Sequence, residues 1–285
     1  MIQSMTGYGK TVLQLPTKKV TIELRSLNSK NLDLSVRIPT CYREKELFIR
    51  KRIAKNLTRG KVDFSIYIED TAGATSAAIS EKAVRSYMDQ LRSIVPTDEA
   101  SLLKIAVRLP DALSSEREAL DEQEWQAIEE GIVETLEKIN QYRTDEGKVL
   151  HKDFELRIAN IAALLSEVVA IDPERMKQVR ARLEKSIADL KVTVDENRFE
   201  QELIYYLEKL DITEEKVRLQ NHLGYFEETL QLAGSNGKKL AFIAQEIGRE
   251  INTIGSKSNH AAMQKKVVQM KDELEKIKEQ NLNVL

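Results

Sequence analysis

Residues 62–69 read Val62-Asp63-Phe64-Ser65-Ile66-Tyr67-Ile68-Glu69. Apolar and polar side chains alternate one for one, the mark of a strand with one buried and one wetted face. Two upstream stretches share the pattern. Val20, Ile22 and Leu24 alternate with Thr21, Glu23 and Arg25, and Leu32, Leu34, Val36 and Ile38 alternate with Asp33, Ser35 and Arg37. Downstream the alternation stops. Thr71 to Ser80 is small and polar, a linker or loop, and beyond it the apolar spacing is helical almost to the end. Residues 62–69 are therefore the last strand before the period changes. They set the class as α+β: an N-terminal antiparallel β-sheet with a helix, followed by a long-helix bundle and a C-terminal helical domain.

The helix that accompanies the sheet is expected from about Glu44 to Leu57, with Arg43, Lys45, Arg50, Lys51, Arg52 and Lys55 on its outer side. Gly7-Tyr8-Gly9 lacks the spacing of a nucleotide loop and reads as a turn or flexible strand entry. A long helix is expected from near Gln123 through Ile171, open to interruption near Gly147, and Pro96, Pro110 and Pro173 mark breaks. The chain divides as 1–155, with the β-rich start and following helices, 156–200, a helical connector, and 201–285, a C-terminal helical domain. Met263, Val267, Met270, Leu274 and Ile277 form a heptad-like seam, either a packing helix inside the bundle or a subunit contact.

Composition narrows the function. The 285 residues are 41% hydrophobic and 32% charged, enough for a core and for two domains or one elongated one. With 44 basic and 46 acidic residues the net charge is −2, so any basic surface for nucleic acid must be local. Arg25, Arg37 and Lys61, on outward strand positions, could extend such a surface; plain solvation is the alternative. One cysteine, Cys41, excludes an internal disulfide and a cysteine-rich zinc site. The start lacks a signal-peptide core, and the most apolar run, Ile161 to Ile171, is too short to span a membrane. A cytoplasmic protein with no membrane partner is expected. No P-loop, Rossmann glycine fingerprint, HExxH or GxSxG occurs.

The chemistry concentrates in Gln245-Glu246-Ile247-Gly248-Arg249-Glu250-Ile251-Asn252-Thr253-Ile254-Gly255-Ser256-Lys257. Leu240, Ile243, Ile247, Ile251 and Ile254 make the core stripe of a helix. Glu246, Glu250, Thr253 and Lys257 lie on one flank. Gln245, Arg249, Asn252 and Ser256 lie on the back, and Ala241, Ala244, Gly248 and Gly255 form the opposite, small flank. A second helix begins at Asp211-Ile212-Thr213-Glu214, a capping-box pattern. Its stripe runs through Leu219, Leu223, Phe226 and Leu230, flanked by Asp211, Glu215, Arg218 and His222. If the acidic–basic flanks pack side by side, they enclose a groove. Glu246, Glu250 and Asp211 are then candidate metal ligands, and Glu246, Glu250, His222 and Glu215 candidate catalytic groups. Arg218, Arg249 and Lys257 are candidates to hold anionic oxygens. The plainer alternative is a solvated face with ordinary i,i+4 pairs.

Several ordered segments resemble the YicC/YloC family. Ser4-Met5-Thr6-Gly7-Tyr8-Gly9 resembles its SMTGFG opening. Glu23 to Asn28 followed by Leu32-Asp33-Leu34 resembles its EIRSVN…LDL segment, and Arg59-Gly60-Lys61-Val62 its RGKV turn. Tyr142 to Gly147 followed by Leu150 resembles its RxxEG motif. Asp211 to Glu215, Arg218-Leu219, His222-Leu223 and Phe226 resemble its DIxEE…RL…SH…F motif. The Gln245–Lys257 stretch resembles its QExNRExNTxxSK motif. Gly248 stands where the family has Asn, and Asn221 where Ser precedes the His. The resemblance implies an endoribonuclease that forms hexamers enclosing RNA, with a divalent cation (Mg2+ or Mn2+) supporting cleavage.

Taken with the groove, this gives a homo-oligomeric, hexameric, cytoplasmic endoribonuclease acting by divalent-metal-assisted phosphodiester cleavage on single-stranded or structured RNA. Arg143, Arg25, Arg37 and Lys61 would guide the RNA, and partners in RNA degradation are compatible with the reading. Metal-assisted hydrolysis and transesterification through the RNA 2′-OH both remain open. So do an RNA-binding adaptor that clamps RNA for another ribonuclease and a structural oligomer whose polar flank forms inter-subunit ion pairs.

Overall fold

The computed structural model describes residues 2–71, 78–95, 97–114, 121–189, 196–232 and 234–285. Four strands form the N-terminal sheet: β1 (Gly7–Gln14), β2 (Lys18–Leu27), β3 (Leu32–Arg37) and β4 (Gly60–Asp70), in the order β1-β2-β4-β3. β1–β2 and β2–β4 are antiparallel, whereas β3–β4 is parallel. The sheet is thus mixed, not purely antiparallel. Its parallel pair follows from the connection: a 3₁₀ turn (Thr40–Lys45) and helix α1 (Glu46–Asn56) carry the chain from β3 back to the same end before β4 starts.

Alternation sorts the strands into two faces. Val20, Ile22, Leu24, Val62, Phe64 and Ile66 are buried against Ile49 and Ile53 of α1 and Ile128, Ile132 and Ile139 of α4 (Glu122–Asp189). The other face is open. β1 was legible only as a strand entry because its inward positions are Gly7, Gly9 and Thr11, which carry no apolar signal. The reason is close packing. A Cβ on Gly7 would stand 2.8 Å from Ile139, and one on Gly9 would overlap the carbonyl oxygen of Thr135, so α4 lies directly on the strand.

Helix α4 is 68 residues long, roughly 100 Å at 1.5 Å per residue. It runs through both Gly147 and Pro173, where breaks were expected. At Gly147 the backbone of Ile2 and Gln3 passes so close that no side chain fits. A small excursion, β5 (Ala78–Ile79), α2 (Glu81–Ile94), α3 (Glu99–Ala106) and β6 (Leu113–Ser114), lies between sheet and α4. The expected linker Thr71–Ser80 falls largely on residues 72–77, outside the described residues.

Beyond α4 come α5 (Glu196–Leu210), α6 (Thr213–Gln231), α7 (Gly237–Lys257) and α8 (Ala261–Asn281). The second half of α4 packs with α6, α7 and α8 around one core, including Phe154, Ile158, Leu219, Phe226, Ile247 and Ile251. The heptad-like seam of α8 is buried in this bundle. The small flank of α7 admits it: a Cβ on Gly248 would lie 3.1 Å from Leu274, and one on Gly255 3.0 Å from Val267.

Candidate functional site

α6 and α7 run antiparallel, because the end of α7 returns to the start of α6. Lys257 Nζ donates to Glu215 Oε1 at 2.7 Å and to the Asp211 carbonyl at 3.0 Å. This pair sets the register. Seven residues in from it, about 10 Å along each helix, stand His222 on α6 and Glu250 on α7. Seven residues are close to two turns, so both remain on the flanks that carry Glu215 and Lys257. Glu250 is buried and His222 half-buried. Neither makes a hydrogen bond or ion pair among the described residues. The Glu250 carboxylate, at the end of a largely buried side chain, is therefore not tied up in an internal pair among the described residues.

The other predicted groups are arranged around this level. Glu246, one turn from Glu250, pairs with Arg249 at 3.3 Å, and Arg218 pairs with Glu214 at 2.5 Å. Both arginines are largely exposed, so these are weak surface pairs that a phosphate could displace. Glu215 is buried and committed to Lys257 through one oxygen; its Oε2 has no partner among the described residues.

Asp211, a predicted metal ligand, is engaged locally through one oxygen. Its Oδ1 accepts from Thr213 N at 3.2 Å and Thr213 Oγ1 at 2.8 Å, which ties it into the turn that leads into α6. Partial burial opposes its ionisation, but these hydrogen bonds hold its pKa below the ordinary value. The capping-box partner Glu214 is turned to Arg218 instead. Asp211 also sits beside Lys257, seven residues along α7 from Glu250. Among the described residues no group of three or more His, Cys, Asp or Glu side chains could hold a metal ion. Glu246, Glu250 and Asp211 are thus not gathered into such a group among the described residues.

Arg143 also departs from its predicted role as an RNA guide. It is 2% exposed, with one guanidinium nitrogen donating to the Met5 carbonyl at 3.1 Å and to Ser26 Oγ. Burial pushes its pKa down. It is a rivet between sheet and helix, out of reach of a polymer. Arg25, Arg37 and Lys61 are exposed, on the open face of the sheet.

Three groups that sequence reasoning missed support the site from behind. Arg175 on α4 is buried and donates to Asp172 Oδ1 at 2.8 Å, to the Lys257 carbonyl at 3.3 Å and to the Leu210 carbonyl at 3.0 Å. Lys216 donates to Asp172 Oδ2 at 2.6 Å. A guanidinium at the carbonyl ends of α5 and α7 is where helix dipoles favour a cation. α4 thus fixes the α5–α6 link and the end of α7, and with them Lys257. The available signal was Asp172 and Arg175 three residues apart on one helix face, masked by reading Pro173 only as a break. Tyr225, one turn beyond His222, is also exposed, with Lys239 Nζ 4.6 Å from its ring centre.

Two family models match the chain: the N-terminal region of YicC-like endoribonucleases over residues 2–152, and their C-terminal region over residues 168–285. A Clostridioides difficile protein named "Probable endoribonuclease YicC" is 32% identical over 295 aligned residues, covering 100% of both chains. A Haemophilus influenzae protein of the same name is 29% identical over 292, again covering 100% of both.

Proposed function

We propose, from the premise that this chain belongs to the YicC-like endoribonuclease family, that it cleaves RNA internally and does so on the flank shared by α6 and α7. The observation that carries the site is the Lys257–Glu215 contact, whose register brings His222 and Glu250 to one level of α6 and α7, both without partners among the described residues, with the displaceable cations Arg218 and Arg249 near them. An imidazole and a carboxylate opposite one another can take a proton from the attacking oxygen and return one to the leaving oxygen. The arginines would then hold the phosphate as charge builds on it. Attack by the RNA 2′-OH breaks the P–O5′ bond and leaves a 2′,3′-cyclic phosphate and a 5′-hydroxyl. Attack by water leaves a linear phosphate end. Analysis of product ends separates the two.

Among the described residues no group of three or more ligands offers Mg2+ or Mn2+ a complete site. Cleavage measured with and without EDTA tests whether an ion assembled from outside the chain takes part. A homo-oligomer, hexameric as the family resemblance implies, belongs to the same proposal. Several copies around one RNA would pool the local basic surfaces of chains whose net charge is only −2. Binding should therefore weaken steeply with salt.

The deciding experiment is cleavage of a labelled oligoribonucleotide by the Glu246→Gln/Glu250→Gln protein, with its oligomer verified by light scattering. A fall of about 100-fold or more is expected for loss of a proton-transfer group. Wild-type rates would remove the carboxylates from the chemistry. RNA binding without cleavage by highly purified wild type would leave an RNA-clamping adaptor as the better description.

A further inference from the structure

The open face of the N-terminal sheet has no part in the cleavage flank, yet its composition is unusual for a merely wetted surface. The register places its side chains in rows. Val12, Thr21 and Tyr67 stand side by side; Lys10, Glu23, Ser65 and Arg37 form the next row; Tyr8, Arg25, Asp63 and Ser35 the next. Leu27, Lys61 and Asp33 close the face. Four large side chains are exposed on it: Tyr8 39%, Val12 48%, Tyr67 53% and Leu27 56%. These aromatic and apolar side chains, interleaved with charged ones, are accessible to a partner.

The chemistry selects the occupant. The Arg25 guanidinium lies over the Tyr8 ring at 5.5 Å and is held by Glu23 Oε2 at 3.2 Å. Lys10 pairs with the same carboxylate at 3.1 Å, so Glu23 is screened by two cations. Arg37 and Lys61 make no ion pair among the described residues. A flat π-face with a guanidinium stacked on it, next to free cations, suits a planar base carrying a phosphate. Tyr8 and Tyr67 lie two strands and four residues apart, roughly 16 Å. That span suits a few nucleotides of an extended strand.

We propose that this sheet face is a docking platform for unpaired RNA, with Tyr8 and Tyr67 stacking bases that paired RNA keeps inside its helix. The proposal rests on the endoribonuclease reading and adds the substrate form: a single-stranded segment held on the sheet away from the cleavage flank. Asp33, Asp63 and Glu69 interleave with the cations, so affinity on this face comes from stacking more than from charge.

The test uses the full chain and anisotropy of a fluorescent, unstructured oligoribonucleotide, with a fully paired duplex of equal length beside it. Tyr8→Ala and Tyr67→Ala should each weaken binding of the unpaired strand by about five-fold or more. Tyr8→Phe and Tyr67→Phe should keep wild-type affinity. Duplex binding and the slope of log affinity against log salt should stay unchanged. Both side chains are exposed, so truncation opens no core cavity, and circular dichroism checks the fold. Unchanged binding of the unpaired strand by the alanine variants would overturn the platform alone. Equal weakening on duplex would also overturn it, as would a changed oligomer in light scattering, which would make the face a subunit contact. A wild type that binds no RNA at all would take down the endoribonuclease reading together with the platform.

Discussion

Glu250 and Glu273 show two fates of a carboxylate in the same bundle. Glu250 is buried and has no partner among the described residues, so its exchange for Gln breaks no internal pair and should cost chemistry rather than stability. Glu273 on α8 is fully engaged. It accepts from Arg157 at 3.2 Å, Asn160 at 3.0 Å and Lys276 at 2.6 Å. Burial alone would raise its pKa, but these bonds outweigh it and hold the pKa at about 2, against 4.5 for a free glutamate. A carboxylate whose pKa falls on folding stabilises above its unfolded pKa and loses that contribution as pH drops through the folded one. Glu273→Gln should therefore cost about 1–2 kcal/mol at pH 7. The gap from wild type should close between about pH 4.5 and 2, read from urea unfolding at stepped pH. At this scale the sequence offered Glu250 through its four-residue spacing from Glu246. It gave no sign of Glu273, whose partners Arg157 and Asn160 are more than 110 residues away.

Among the elements, the longest periodic runs were the most legible. The stripes of α6, α7 and α8 are all buried as their spacing required. β1 shows the limit. A strand is recognised by alternating apolar side chains, and here glycine replaces them so that α4 can approach. Gly9→Ala places a methyl group against the Thr135 carbonyl, backbone that cannot swing away. A loss of about 1–3 kcal/mol is expected, seen as a lower thermal midpoint. Proline misled for a related reason. Pro173 removes one donor and one helical hydrogen bond. The turn that carries it is nevertheless secured from both sides by Asp172 and Arg175 to α5, α6 and α7, so the helix continues.

On the scale of the whole molecule, two cores share one helix. The first half of α4 closes the sheet, the second half belongs to the bundle, and the chain between them is braced at Arg143. Ser4 N donates to the Arg143 carbonyl, Met5 N to the Asn283 carbonyl and Leu285 N to the Gln3 carbonyl. Thr6 Oγ1 donates to Glu146 at 2.5 Å. Segments far apart in the chain thus meet at one buried guanidinium. Arg143→Met keeps the length of the side chain but removes the donor to Ser26 Oγ and one of the two donors to the Met5 carbonyl, which still accepts from Ser26 Oγ at 2.6 Å. It should cost about 2–3 kcal/mol in calorimetry, with RNA affinity unchanged once the protein is folded.

The α+β class, the three strands with alternating faces, the stripes of the late helices and the residues on each flank were readable from the chain alone. These follow from local periodicity, which backbone geometry imposes on any chain. Packing alone settled that one strand pair is parallel, that α4 passes its glycine and proline, that Arg143 is buried, and that His222 and Glu250 fall at one level. Each depends on which distant segment packs against the residue, and periodicity holds no record of that.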